Sequence, residues 1–182
     1  MTGPRWRVWL AVVAVALWGA AFPRSLGAPP AGGGAEDTIL MLCDLTRGGA
    51  EPVFQRPAAV GDRLEVGFIH SYDRGPVGEI FRVGPDLALA IVETYYTAFT
   101  YDARDWTFPG EVTIEDGLAW IRNIDERFGV THPRLLIRRS YESPQWLIVD
   151  GERLDLADVA PPGHLLELRV TRRAGCGDEG KG

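Results

Sequence analysis

The chain has 182 residues, 46% hydrophobic and 24% charged, the proportions of one globular domain with a leader. Its formal charge is −6, and Arg5, Arg7 and Arg24 all fall within residues 1–28, which hold no acid, so the remainder stands at −9. An acidic body without a basic stripe argues against binding to nucleic acid and against peripheral attachment to anionic lipid.

Arg5 and Arg7 precede an uncharged apolar run from Val8 to Phe22, closed by Pro23 and Arg24. As a helix this run spans about 22 Å, short of the ~30 Å hydrocarbon core. That length suits a signal-peptide core, with Gly19-Ala20-Ala21 as the best small-residue cleavage candidate. Trp6, Trp9 and Trp18 suit an interfacial membrane anchor instead. Either reading makes residues 1–28 the sole membrane contact and places the rest outside the cytoplasm, in the periplasm or on the outer face of the cytoplasmic membrane. Residues 29–36 read as a flexible linker, 37–173 as a β domain and 174–182 as a disordered tail.

A first strand is expected at Thr38–Asp44 and a short second one at Val53–Arg56, separated by a Gly48-Gly49 turn. From Leu64 to His70 the chain alternates, with Leu64, Val66, Phe68 and His70 on one face and Arg63, Glu65, Gly67 and Ile69 on the other. Asp73, Gly75 and Pro76 supply a turn. Val77, Glu79, Phe81 and Val83 then share a face, and Leu87, Leu89, Ile91, Glu93 and Tyr95 extend it after Gly84-Pro85-Asp86. The pattern predicts a three-stranded antiparallel meander. Pairing Val77 with His70 and Leu87 with Val83 brings His70, Glu79 and Glu93 to one end of the inward face. With Ser71 and Tyr95 beside them, these residues form the candidate cluster for a ligand or partner. The competing reading is structural, a charge-compensated group that fixes register. No cofactor is expected; a divalent ion, if one binds, would take His70, Glu79 and Glu93.

Residues 97–110 mix aromatics with charges and show no period; they read as a long loop that is either a lid or packing. Residues 111–128 are ambiguous. Ile114, Leu118, Ile121, Ile124 and Phe128 have helical spacing, with Thr113 and Asp116 as a capping pair, and this pattern favours a helix. The alternative is a hairpin turning at Glu115-Asp116-Gly117. Strands follow at Arg134–Arg139, Gln145–Val149, Arg153–Leu156 and Leu165–Thr171, with Asp150-Gly151 as a tight turn. The fold class is therefore all-β, an antiparallel sandwich or partly open barrel of about nine to eleven short strands.

Cys43 and Cys176 have no metal-ligand spacing, and the Gly-rich surroundings of Cys176 favour two unpaired thiols over a disulfide. His70 and Ser71 are neighbours in an extended chain, so their side chains diverge, and no Gly-x-Ser-x-Gly elbow is present. His132 before Pro133 and His164 in a Pro-Gly turn read as solvent-exposed loop residues.

His70-Ser71, then Pro76-Val77, Glu79, Phe81 and Val83, resembles a bacterial family known as domain of unknown function 1850. The similarity reaches upstream to Gly61-Asp62 and downstream through Glu93-Thr94, Glu115-Asp116-Gly117, Trp120 to Asn123, Leu135 to Arg138, Asp150-Gly151 and Gly163. It implies a small exported β domain without assigned activity, commonly encoded beside tripartite transporters that use a TAXI-class solute-binding protein. A transporter component or its solute is the partner so implied, and residues 111–123 are tipped toward the hairpin. Phe99-Thr100-Tyr101-Asp102 departs from the glycine-containing turn of the family. Two functions follow: a non-enzymatic accessory or binding module, or a small metal-assisted hydrolase using the His/Glu/Glu cluster.

Overall fold

The computed structural model describes residues 38–98, 110–124, 131–172 and 175–176. The expected leader and linker, and most of the aromatic loop and the tail, lie outside the described residues. Among the described residues there are twelve strands: β1 (Ile39–Asp44), β2 (Phe54–Pro57), β3 (Arg63–Ile69), β4 (Pro76–Val83), β5 (Leu89–Thr97), β6 (Glu111–Glu115), β7 (Leu118–Arg122), β8 (Thr131–His132), β9 (Leu135–Arg138), β10 (Gln145–Val149), β11 (Glu152–Asp155) and β12 (Leu165–Thr171). They form two antiparallel sheets. The smaller has the order β2-β1-β12-β9; the larger runs β11-β10-β3-β4-β5-β7-β6, with β8 added to β5. The fold is all-β, as the alternation predicts.

Period-two patterning builds the core between the sheets. Leu40 and Leu42 of β1, with Leu166, Leu168 and Val170 of β12, pack against Leu64, Phe81, Leu89, Leu147 and Val149 of the larger sheet. Each fully buried side chain of this size contributes about 1.5–3 kcal/mol. Tyr96, Ala119, Ile121 and Ile124 form a second buried cluster at the β5–β7 side.

The meander β3-β4-β5 forms as expected, but its register does not follow the turn-based pairing. Val77 lies opposite Phe68 and Glu79 opposite Val66, two residues from the expected alignment. On β5 a bulge intervenes: Ile80 faces Glu93, but Phe81 faces Ile91, so Val92 is extra. Its carbonyl accepts the amide of Ile124 at 3.2 Å instead. One extra residue exchanges the faces of everything beyond it. Thr94 and Tyr96 therefore turn inward, while Glu93 and Tyr95 turn outward.

Over residues 111–124, the described part of the helix favoured for residues 111–128, no helix forms. Residues 111–122 make a hairpin, with Asp116 (φ 50°) and Gly117 (φ 80°) both left-handed, the backbone a tight two-residue turn requires. The free flank of β5 decides the matter, because β7 pairs along Thr94–Thr97. Ile114, part of the helical spacing, is 69% exposed on the edge strand.

Cys43 and Cys176 are joined in a disulfide, with Cα atoms 5.7 Å apart, against the unpaired reading. The tail is held where the thiols meet: the Cys176 amide donates to Ala50 O at 2.8 Å, and Arg169 Nη2 donates to Gly175 O at 2.9 Å. His164 also differs from its exposed-turn reading. Its Nδ1 lies 2.8 Å from Oδ2 of buried Asp44, whose Oδ1 accepts the amides of Thr46 and Arg47. Burial alone would raise the Asp44 carboxyl; the His164 and backbone hydrogen bonds outweigh it, and the net shift is downward.

Candidate functional site

The residues of the His70 cluster are distributed over separate sites. His70 sits at the β3–β4 turn, where its Nδ1 is 3.0 Å from Asp73 Oδ1, and the same oxygen accepts the Gly75 amide. Ser71 is exposed on that turn. Glu79 faces inward, between Val66 and Thr94. It retains the surface area of an exposed residue, yet its crowded setting raises its carboxyl above the ordinary range by desolvation. The imidazole whose charge opposes that shift belongs to His132, not His70. His132 lies opposite Leu89 on β8, with its ring edge-on to Phe81 at 6.2 Å. Glu93 is on the far face, bound to Arg63 Nη2 at 2.6 Å. The bulge at Val92 is the reason these acids part. Among the described residues no three His, Cys, Asp or Glu side chains gather as a metal site.

Tyr95 belongs to a different arrangement, on the outer face of the larger sheet. Cross-strand pairing places Trp146, Gly67, Gly78, Tyr95 and Trp120 in one row across five strands. The two glycines face each other at its centre. A Cβ on Gly67 would come within 2.3 Å of the Trp146 indole, and one on Gly78 within 2.3 Å of the Tyr95 ring. Both rings thus lean over bare backbone from opposite sides. They are buried, at 4% and 8% exposure, although they lie on the outer face.

Glu65 holds the two rings together. Its Oε1 accepts Tyr95 Oη at 2.6 Å and Trp146 Nε1 at 2.9 Å. Oε2 has no hydrogen-bond partner among the described residues. Burial, then the Glu65 hydrogen bond and charge, push the Tyr95 hydroxyl well above the usual phenol range, so it stays a donor. Trp120 continues the row, its ring 4.6 Å from that of Tyr95. A guanidinium caps each end: Arg153 lies 4.4 Å over Trp146, and Arg122 4.5 Å over Trp120. Both are already paired, Arg153 with Asp155 and Arg122 with Glu115 through two parallel bonds.

Beside the row, Ile69, Pro76, Leu118, Pro144 and Ile148 widen it into an open, mainly apolar groove of about 590 Å³. Chemically it offers aromatic and aliphatic surface with one open carboxylate oxygen. No family model, curated protein or solved structure matches the chain. Sequence reasoning found Tyr95 but not its companions. The available signal was Gly67 and Gly78 at outward strand positions with Trp120 and Trp146 on other strands, since strand glycines mark close approach of other groups.

Proposed function

We propose that this chain is an exported, non-enzymatic binding module that docks a protein component of a membrane transport system through the groove on its larger sheet. The observation that carries this reading is the row of rings fixed over Gly67 and Gly78, beside which half-buried Trp120 and Leu118 line an open groove. Small-molecule sites enclose most of their ligand, whereas this groove is shallow and wide. Tryptophan, tyrosine and arginine surrounded by aliphatic side chains is the composition of a protein interface centre. The partner segment that fits presents an apolar side chain next to a lysine or arginine. The apolar part would lie on Trp120 and Leu118, and the cation would meet Glu65 Oε2, in keeping with the acidic charge of the domain. The Cys43–Cys176 disulfide supports an oxidising compartment, and the resemblance of the His70–Val83 stretch supports the link to transport.

A photo-crosslinking residue at Leu118, in the full chain expressed in its native membrane, tests this. Attachment to a transporter membrane or solute-binding subunit is expected from position 118. It is not expected from position 136 on the small sheet, where Leu136 is 54% exposed. Equal labelling from both positions, or none from 118, removes the proposal.

A further inference from the structure

A second site stands apart from the groove's row of rings and does not depend on the reading of it. Along β9, Leu135 and Ile137 pack against the core, and Arg139, two residues on, extends the same inward face just past the strand end. It is 8% exposed. Its Nη1 donates to Ser140 O at 2.8 Å and to Gln145 Oε1 at 3.4 Å, both uncharged acceptors. Its Nε is buried with no hydrogen-bond partner. Among the described residues no carboxylate pairs with it. A buried charge in that state is strongly unfavourable unless an opposite charge compensates it.

Arg139 also lines a cavity of about 330 Å³ where the β9–β10 connection meets the segment after β11. With Nε sealed and Nη1 engaged, Nη2 is the guanidinium nitrogen left to serve that cavity. We propose that this cavity is a binding site for a small monocarboxylate, whose oxygen takes the Nη2 hydrogens and supplies the missing countercharge. A carboxylate oxygen is a strong, charge-assisted acceptor for that one nitrogen. A single charge is preferred because Glu142, Asp155 and Asp158 also line the cavity, and they repel a dianion such as phosphate. Asp155 is itself taken up by Arg153 at 2.7 Å.

The test is thermal unfolding of the intact protein in sodium acetate, sodium phosphate and sodium chloride at matched ionic strength. Acetate at roughly ten times its Kd is expected to raise Tm by about 2–5 °C over chloride, with a smaller effect of phosphate. Arg139→Met is expected to abolish the acetate response. No acetate-specific shift in the wild type, or the same shift in Arg139→Met, overturns the proposal. Should Arg139→Met not fold, Gln145→Glu decides, since it sets a carboxylate beside Nη1. Loss of the acetate response there supports the site, and an undiminished response overturns it.

Discussion

Gly67 and Gly78 stand directly opposite each other on β3 and β4, and neither has room for a side chain, because Trp146 covers one and Tyr95 the other. Their missing Cβ atoms let two large rings lie against the backbone and reach a single oxygen of Glu65. Two large rings thereby cover the centre of the sheet's outer face.

Gly78→Ala and Gly67→Ala should each displace a ring and break its bond to Glu65. Overpacking of this kind costs about 1–3 kcal/mol. A fall in the urea midpoint with unchanged slope, together with altered indole emission, is the expected result. Gly49→Ala, where a Cβ meets nothing within 4 Å, should leave the midpoint in place.

Most of the strands were legible because each buries one face, and burial at every second residue writes itself into the chain. Leu165–Thr171 alternates in sequence, Gln145–Val149 is a short apolar run between turns, and both form strands with those bounds. The candidate cluster was not legible, for a reason confined to one residue. Leu89, Ile91, Glu93 and Tyr95 share one face of an unbroken strand, yet Val92 is a bulge, and nothing in the run Leu-Ala-Ile-Val marks it. At residues 111–122 the spacing favours a helix over the hairpin for a related reason: the exposed edge strand β6 has no buried face to impose a period of two. The row of rings needed cross-strand register, which only the pairing provides.

Asp44 and His164 give a pH-dependent contribution whose sign follows from the lowered Asp44 carboxyl. A carboxylate more acidic folded than unfolded stabilises the fold above its ordinary pKa, and that stability is lost as pH falls through the folded value. Asp44→Asn should cost about 1–3 kcal/mol at neutral pH, since His164 loses its charged partner. The gap between the two proteins should close below about pH 4. A gap that is constant down to strong acid would contradict the assignment.

Glu79 has the opposite sign. Its carboxyl is raised by desolvation, so the folded state holds its proton longer than the unfolded chain does. Stability attributable to Glu79 should therefore fall as pH rises from the ordinary glutamate range through the raised value. Glu79→Gln should flatten that part of the stability profile and leave the acid limb governed by Asp44 unchanged. Urea midpoints measured across the range distinguish this from the expected His70 partnership, in which His70→Ala would reproduce the effect.

The disulfide ties β1 to a tail segment 133 residues away in sequence. In the chain-entropy account a loop of that length yields about 5 kcal/mol, while measured values cluster nearer 2–4. Two hydrogen bonds, from the Cys176 amide to Ala50 O and from the Arg169 side chain to Gly175 O, also anchor the tail, so the cross-link and the contacts must be separated. Cys176→Ser keeps the contacts and should lower Tm markedly; truncation after Arg172 loses both and should lower it only slightly further. Calorimetry of both variants, with and without reductant, checks the order. Reductant should bring the wild type close to Cys176→Ser and leave that variant unmoved. If truncation costs much more than the serine substitution, the tail holds β1 chiefly by its contacts and the covalent link is secondary.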